Sequence, residues 1–113
     1  MSLEEAKEKF LDIYRRALEK MGDEVKTWNK AYQFEVEGLP EFYIEFKEGD
    51  VKLEEGRHER PLATLRMNKD VFDKILDLEM DPMRAFMMGK MKITGNVIET
   101  THLRKIFDVV RKG

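Results

Sequence analysis

Two hydrophobic rhythms divide this chain. Between residues 3 and 21 the apolar positions Leu3, Ala6, Phe10, Ile13, Tyr14, Ala17, Leu18 and Met21 fall three and four apart, the spacing of one helix face. Ser2 followed by Glu5 is a capping-box pattern, and Gly22 suits the position that ends the helix. From residue 31 the period becomes two. Tyr32, Phe34 and Val36 alternate with polar residues, as do Phe42, Ile44 and Phe46, and then Val51 and Leu53. The turns Gly38-Leu39-Pro40-Glu41 and Glu48-Gly49-Asp50 separate these runs, so they predict an antiparallel meander with one wet face. A polar connection from Glu55 to Pro61 leads to a fourth strand, with Ala63, Leu65 and Met67 on one face.

The helical period then returns. Asn68 is the predicted N-cap of a helix through about Leu78, with Val71, Phe72, Ile75 and Leu76 as its buried stripe. Asp81-Pro82 reads as N-cap and first position of a short helix, Met83 to Met88, stopped by Gly89. Lys90 to Thr94 alternates as a fifth strand with Met91 and Ile93 inward, and Asn96 caps a last helix to about Arg111. Strands with one apolar face need cover on that face only. The fold class expected is therefore α+β: two layers, a five-stranded, mainly antiparallel sheet with helices covering one face.

At 113 residues this is one domain, residues 1–113, long enough to bury a core without staples. The absence of cysteine excludes disulfides and thiolate metal sites, and no metal-spaced cluster of His, Asp and Glu occurs. No apolar run approaches the ~20 residues that span a bilayer, and the start MSLEEAKEKF lacks the basic-then-apolar order of a secretory signal. The expected location is cytoplasmic. Residues 1–81 hold 14 Lys/Arg against 21 Asp/Glu, whereas residues 82–113 hold 7 against 2. The acidic majority argues against nucleic acid as a partner. The basic C-terminal third fits either a solvated helix face or transient contact with an anionic membrane surface.

Candidate chemistry is concentrated near the C-terminus. Five of the eight methionines, Met80, Met83, Met87, Met88 and Met91, fall within twelve residues beside Phe86. Thioether side chains adapt to contact surfaces of variable shape, so this cluster either lines a pocket or fills gaps in a closed core. On the last helix Glu99 and His102 fall within the arc of Ile98, Leu103, Ile106, Phe107, Val109 and Val110. Glu99 has three outlets there: a capping box with Asn96, a pair with His102, or a cavity admitting water or a headgroup. These two residues are the sole candidate acid/base pair, no nucleophile accompanies them, and His58 reads as a solvated loop residue. The expectation is a protein that is not an enzyme and needs no cofactor.

The run Asp81-Pro82-Met83-Arg84-Ala85-Phe86-Met87-Met88-Gly89-Lys90-Met91-Lys92-Ile93-Thr94-Gly95 resembles the sterol carrier protein family, the non-specific lipid-transfer proteins. Supporting matches are the meander Ala31–Glu54, Leu65-Arg66-Met67 and the helix around Phe72–Leu76, so the likeness covers about residues 25–110. The resemblance implies an apolar tunnel between sheet and helices that binds fatty acyl chains, acyl-CoA, phospholipids or sterols with broad selectivity. Glu99-Thr100-Thr101-His102 stands where family members commonly continue with apolar residues, which favours a ligand with a polar end. The ending Arg111-Lys112-Gly113 lacks the peroxisomal address of some relatives, so import by that signal is not expected.

The expected ligand is a fatty acid, an acyl-CoA or a similar lipid. The expected tunnel lining is Phe34, Phe46, Leu65, Met83, Phe86, Met87, Met91, Leu103, Ile106 and Phe107, with Glu99 and His102 as polar candidates. Trp28 stands either at the tunnel mouth or as an ordinary core residue. The rival reading is the same fold with a filled core, acting as a structural module or a homodimer through its Met/Phe surface.

Overall fold

The computed structural model describes residues 1–113. Helix α1 (Leu3–Met21) opens on the expected capping box: Ser2 Oγ accepts from Glu5 N at 3.2 Å, and Glu5 accepts from Ser2 N at 3.4 Å. A single turn, α2 (Asp23–Lys26), follows, which the two-fold and helical rhythms did not reveal; it buries Val25. The meander is β1 (Lys30–Val36), β2 (Phe42–Lys47) and β3 (Asp50–Glu55). Then come β4 (Ala63–Met67), α3 (Lys69–Leu76), α4 (Pro82–Met87), β5 (Met91–Gly95) and α5 (Thr100–Arg111).

The five strands form one open sheet in the order β3-β2-β1-β4-β5. All neighbours are antiparallel except β1 and β4, which run parallel with Phe34 opposite Leu65. The fold is thus α+β as expected, with a mixed, mostly antiparallel sheet. Its inner face carries the period-two residues, and helices α1, α3, α4 and α5 cover that face. No helix is long and apolar enough to cross a membrane.

The outer face is largely polar, and two of its residues, Ala31 and Gln33 of β1, are buried. Gln33 is fully buried because the loop between β3 and β4 crosses over it. Its amide donates to Phe42 O (3.0 Å) and Gly56 O (2.9 Å), and its carbonyl accepts from His58 N (2.9 Å). The same loop holds His58, which is not the solvated residue expected. Its Nε2 meets Glu45 at 2.8 Å, its Nδ1 accepts from Arg60 N at 3.0 Å, and its ring stands edge-on to Tyr43. Tyr43 and Glu45 lie on β2, out of reach of local pattern, and Arg60 is two residues along the same loop.

The last helix also starts later than expected. Asn96 Oδ1 does accept from Glu99 N, at 3.2 Å, but residues 97–99 form a tighter turn closed by i→i−3 bonds. The hydroxyls of Thr100 and Thr101 reach back to Val97 O (2.5 Å) and Ile98 O (2.7 Å), competing for carbonyls that a regular α-turn needs. The α-helix therefore begins at Thr100.

Two glycines bracket β5 for different reasons. Gly89 ends α4 at φ +76° and faces open space. Gly95 has φ +97°, and a Cβ there would lie 2.7 Å from Leu62 O and 3.0 Å from Ala63 Cα. Both atoms are backbone and cannot step aside. Gly95→Ala is accordingly expected to destabilise the fold by about 2–3 kcal/mol, whereas Gly89→Ala costs about 1 kcal/mol. Urea unfolding of the two variants measures the difference.

Candidate functional site

The covering helices do not fill the inner face evenly. At the β2–β3 end α1 packs closely: Phe10 stands edge-on to Phe46 and tilted against Phe107, and Tyr14 donates to Gly49 O at 3.0 Å. At the β4–β5 end the cover is α3, the six-residue α4 and the start of α5. Between these pieces lies a cavity of about 180 Å³. Of its 21 lining residues 17 are hydrophobic, and the rest are Pro82, Thr100, Thr101 and Arg104.

The floor is Phe34, Leu65, Met67, Met91 and Ile93 from the sheet, with Ile44 and Leu53 further in. Strand register brings these together, since Leu65 stands opposite both Phe34 and Ile93. Phe72, Ile75 and Leu76 of α3 form one wall, and Met83 and Phe86 of α4 another. Leu103, Arg104 and Phe107 of α5 close the roof, with Phe10 behind them. The opening lies at Val97, Ile98 and Thr101, all exposed.

Seven residues of the expected lining thus meet around one void: Phe34, Leu65, Met83, Phe86, Met91, Leu103 and Phe107. The others lie elsewhere. Phe46 and Ile106 are packed in the core on the α1 side, where aromatic and aliphatic contact leaves no gap. Met87 points into solvent, one residue past the inward face of α4. Trp28 is a core residue, edge-on to Phe46 and stacked on His102 at 5.4 Å, and not at the mouth. Ile93, Phe72 and Ile75 were legible as inward-facing; pairing with Leu65 adds Ile93 to the site, and the placement of α3 over the sheet adds Phe72 and Ile75.

Glu99 and His102 also lie outside the lining. The Glu99 carboxylate pairs with Lys30 Nζ at 2.7 Å, and His102 Nδ1 stands 3.5 Å from it. Lys30 contacts His102 Nδ1 as well, and Tyr32 Oη donates to Glu99 O at 2.9 Å. This cluster fastens the entrance to α5 onto β1. Of the three outlets open to Glu99, the His102 pair forms and half of the capping box with Asn96 is present, but the main partner is Lys30, 69 positions away. The Lys30 ammonium holds the Glu99 carboxyl below its usual range. Burial pushes the Tyr32 hydroxyl well above its ordinary value.

A second charged cluster joins α4 to α5. Asp81 Oδ1 caps α4 by accepting from Met83 N at 3.0 Å. Its carboxylate also meets Arg104 Nε at 3.3 Å and lies 3.7 Å from Arg111, both on α5, while Asp108 shares these two guanidinium groups. Burial works to raise the Asp81 pKa, but the Met83 N–H and the two arginines outweigh it and hold the carboxyl low. Arg104 is the one charged residue bordering the cavity.

Comparison with known proteins bears on this site. Residues 11–108 match the family model described as the SCP-2 sterol transfer family. The chain belongs to that family. Among solved structures, a palmitated SCP2L2 from Aedes aegypti superposes with a TM-score of 0.72 at 16% identity, covering 95% of each chain. The sterol carrier protein domain 2 of Helicoverpa armigera gives 0.70 at 23% identity, over 93% of this chain and 87% of that one. At these identities the likeness shows a shared fold. Among curated proteins, the mouse hydroxysteroid dehydrogenase-like protein 2 is 30% identical over 99 residues, which are 84% of this chain. The match spans only a fifth of that protein's length. Family and fold together support lipid binding or transfer in general.

Both low carboxyl pKa values make the site acid-sensitive. Asp81 and Glu99 contribute stability that is fully present above the usual carboxylate range and is lost as pH falls through their lower folded values. The melting temperature is expected to drop between about pH 5 and pH 3. Asp81→Asn keeps the cap on α4 but removes the charge. It and Glu99→Gln should each cost about 1 kcal/mol or less at pH 7 and flatten the acid limb of the Tm–pH curve.

Proposed function

We propose that this chain reversibly binds a single-chain lipid with an anionic end, a fatty acid or fatty acyl conjugate such as acyl-CoA, and performs no chemistry on it. The observation that carries the reading is the void of about 180 Å³ lined by 17 hydrophobic residues and bordered by one charged side chain, Arg104. A hydrocarbon tail in that space gains about 0.8 kcal/mol per methylene removed from water, with little directional selectivity. The threonine hydroxyls at the opening are already bonded to their own backbone, so an anionic end would share Arg104 with Asp81 and Asp108, whose carboxylates meet its guanidinium. Both insect neighbours carry sterol-carrier names, and the one from Aedes aegypti is described as palmitated.

The void matches in scale the ~150 Å³ apolar cavities that hold one benzene, and it falls below the ~300–1,000 Å³ of sites for drug-sized ligands. A long chain therefore has to widen it. The wall suited to yield is α4, one short helix presenting the half-buried Met83 and Phe86, whose side chains can repack around a tail. The acid/base pair Glu99 and His102 lies off the cavity and is engaged with Lys30, which fits holding rather than turnover.

The test is titration with a fluorescent fatty acid, alongside mass spectrometry of lipid extracted from natively purified protein. A one-to-one complex is expected. Leu65→Trp, which places an indole in the void, should abolish binding without lowering stability by more than about 1–3 kcal/mol. Arg104→Met should weaken the fatty acid more than its methyl ester, by up to about tenfold, because the charge it offers is already shared with Asp81 and Asp108. No lipid in the extract together with no binding of the probe would reject the proposal.

A further inference from the structure

The cavity has two unlike ends. It crosses the sheet, with Ile93, Leu65, Phe34, Ile44 and Leu53 each contributing from a different strand, so it runs from the β5 side towards the β3 side. The opening lies on the β5 side, where Val97 and Ile98 follow that strand and are exposed. The inner end lies against Phe10 of α1.

The opening end has room to give, because Met83 and Phe86 are half-buried on a six-residue helix. The inner end does not. Phe10 is fully buried, edge-on to Phe46 at 6.4 Å and tilted against Phe107 at 5.9 Å. Ties on either side of it hold α1 in place: Lys9 pairs with Asp77 just past α3, and Tyr14 donates to Gly49 O. The floor below is equally closed, with Ile44 and Leu53 both 2% exposed. A ring clasped in this way moves only if close-packed neighbours lose their contacts.

Volume limits what fits in front of that ring. An apolar cavity of ~150 Å³ holds one benzene, so the void of about 180 Å³ has room for about seven carbons. We infer that the site prefers acyl chains of about eight carbons, and that Phe10 is the specificity-determining residue, the stop against which the methyl end rests. The inference deepens the lipid-binding reading above and rests on it. Up to that length each methylene enters preformed apolar space and raises affinity about fourfold. Further carbons have to displace Met83 and Phe86 or stay in water, and the gain per carbon falls below about twofold.

The test is displacement of a fluorescent fatty acid from the full chain by saturated fatty acids of about four to sixteen carbons, each below its micelle concentration. The logarithm of affinity against carbon number is expected to break at about eight. Phe10→Ala removes the ring from the inner end and should move the break outwards by about four to six carbons, the lower figure allowing for partial collapse of the site. Phe10→Leu is milder, should move it by about two, and decides the matter if Phe10→Ala does not fold. Ile106→Val alters an equally buried residue off the cavity and should leave the break in place, which separates a stop from a loosened core. A wild-type rise that continues unbroken to the longest chain overturns the stop and leaves lipid binding intact. So does a break that the Phe10 variants do not move, or that Ile106→Val moves as far. Failure of the probe and of every acid to bind rejects the lipid-binding reading, and the stop with it.

Discussion

The structure depends on one mismatch: an apolar sheet face wider than the helices available to cover it. Helix α1, with its 19 residues, seals the β2–β3 side through Phe10 and Tyr14. The β4–β5 side receives the eight residues of α3, the six of α4 and the first turns of α5. Protein interiors are normally close-packed, and the dispersion contacts forfeited around a void have a free-energy cost. Here the walls of the void are tied to one another from outside by charge. Asp81 ties α4 to Arg104 and Arg111, and Lys30 ties the entrance of α5 to β1 through Glu99. Polar fasteners at the perimeter replace apolar filling at the centre.

Each conspicuous residue of the C-terminal third takes a place in that scheme. Pro82 and the Asp81 cap fix where α4 begins, and Gly89 ends it after six residues. Gly95 lets β5 leave the sheet against the backbone of Leu62 and Ala63, which delivers Val97 and Ile98 to the opening. Thr100 and Thr101 delay the helix, so the turn before it stays short and exposed. The Asp-Pro-to-Gly run is therefore a set of backbone instructions for building a thin wall beside a mouth.

Much of this was legible in the chain. The alternation at Tyr32, Phe34 and Val36, and the three-four spacing of α1 and α3, each report burial on one face, and burial is what the sequence pattern encodes directly. What was illegible is of two kinds. Partners across long separations left no local trace: Lys30 for Glu99, Glu45 for His58, and the loop that buries Gln33. Packing differences within one face were equally silent. Phe46 and Leu65 both point inward, but only tertiary structure puts one against α1 and the other at a void. Met87 shows the same limit, because a six-residue helix is too short for its spacing to define which methionine faces out.

The central claim is that the space between sheet and helices admits a hydrocarbon chain. Methyl-resolved NMR with a fatty acid carrying a spin label along its tail tests it most directly. Broadening should be strongest for the methyl signals of Leu65, Met91, Ile93 and Leu103 and weaker for those of Ile106 and Val25, in the sealed part of the core. Broadening confined to the exposed methyls of Met87, Met88 and Ile98, or no broadening at all, would contradict the account.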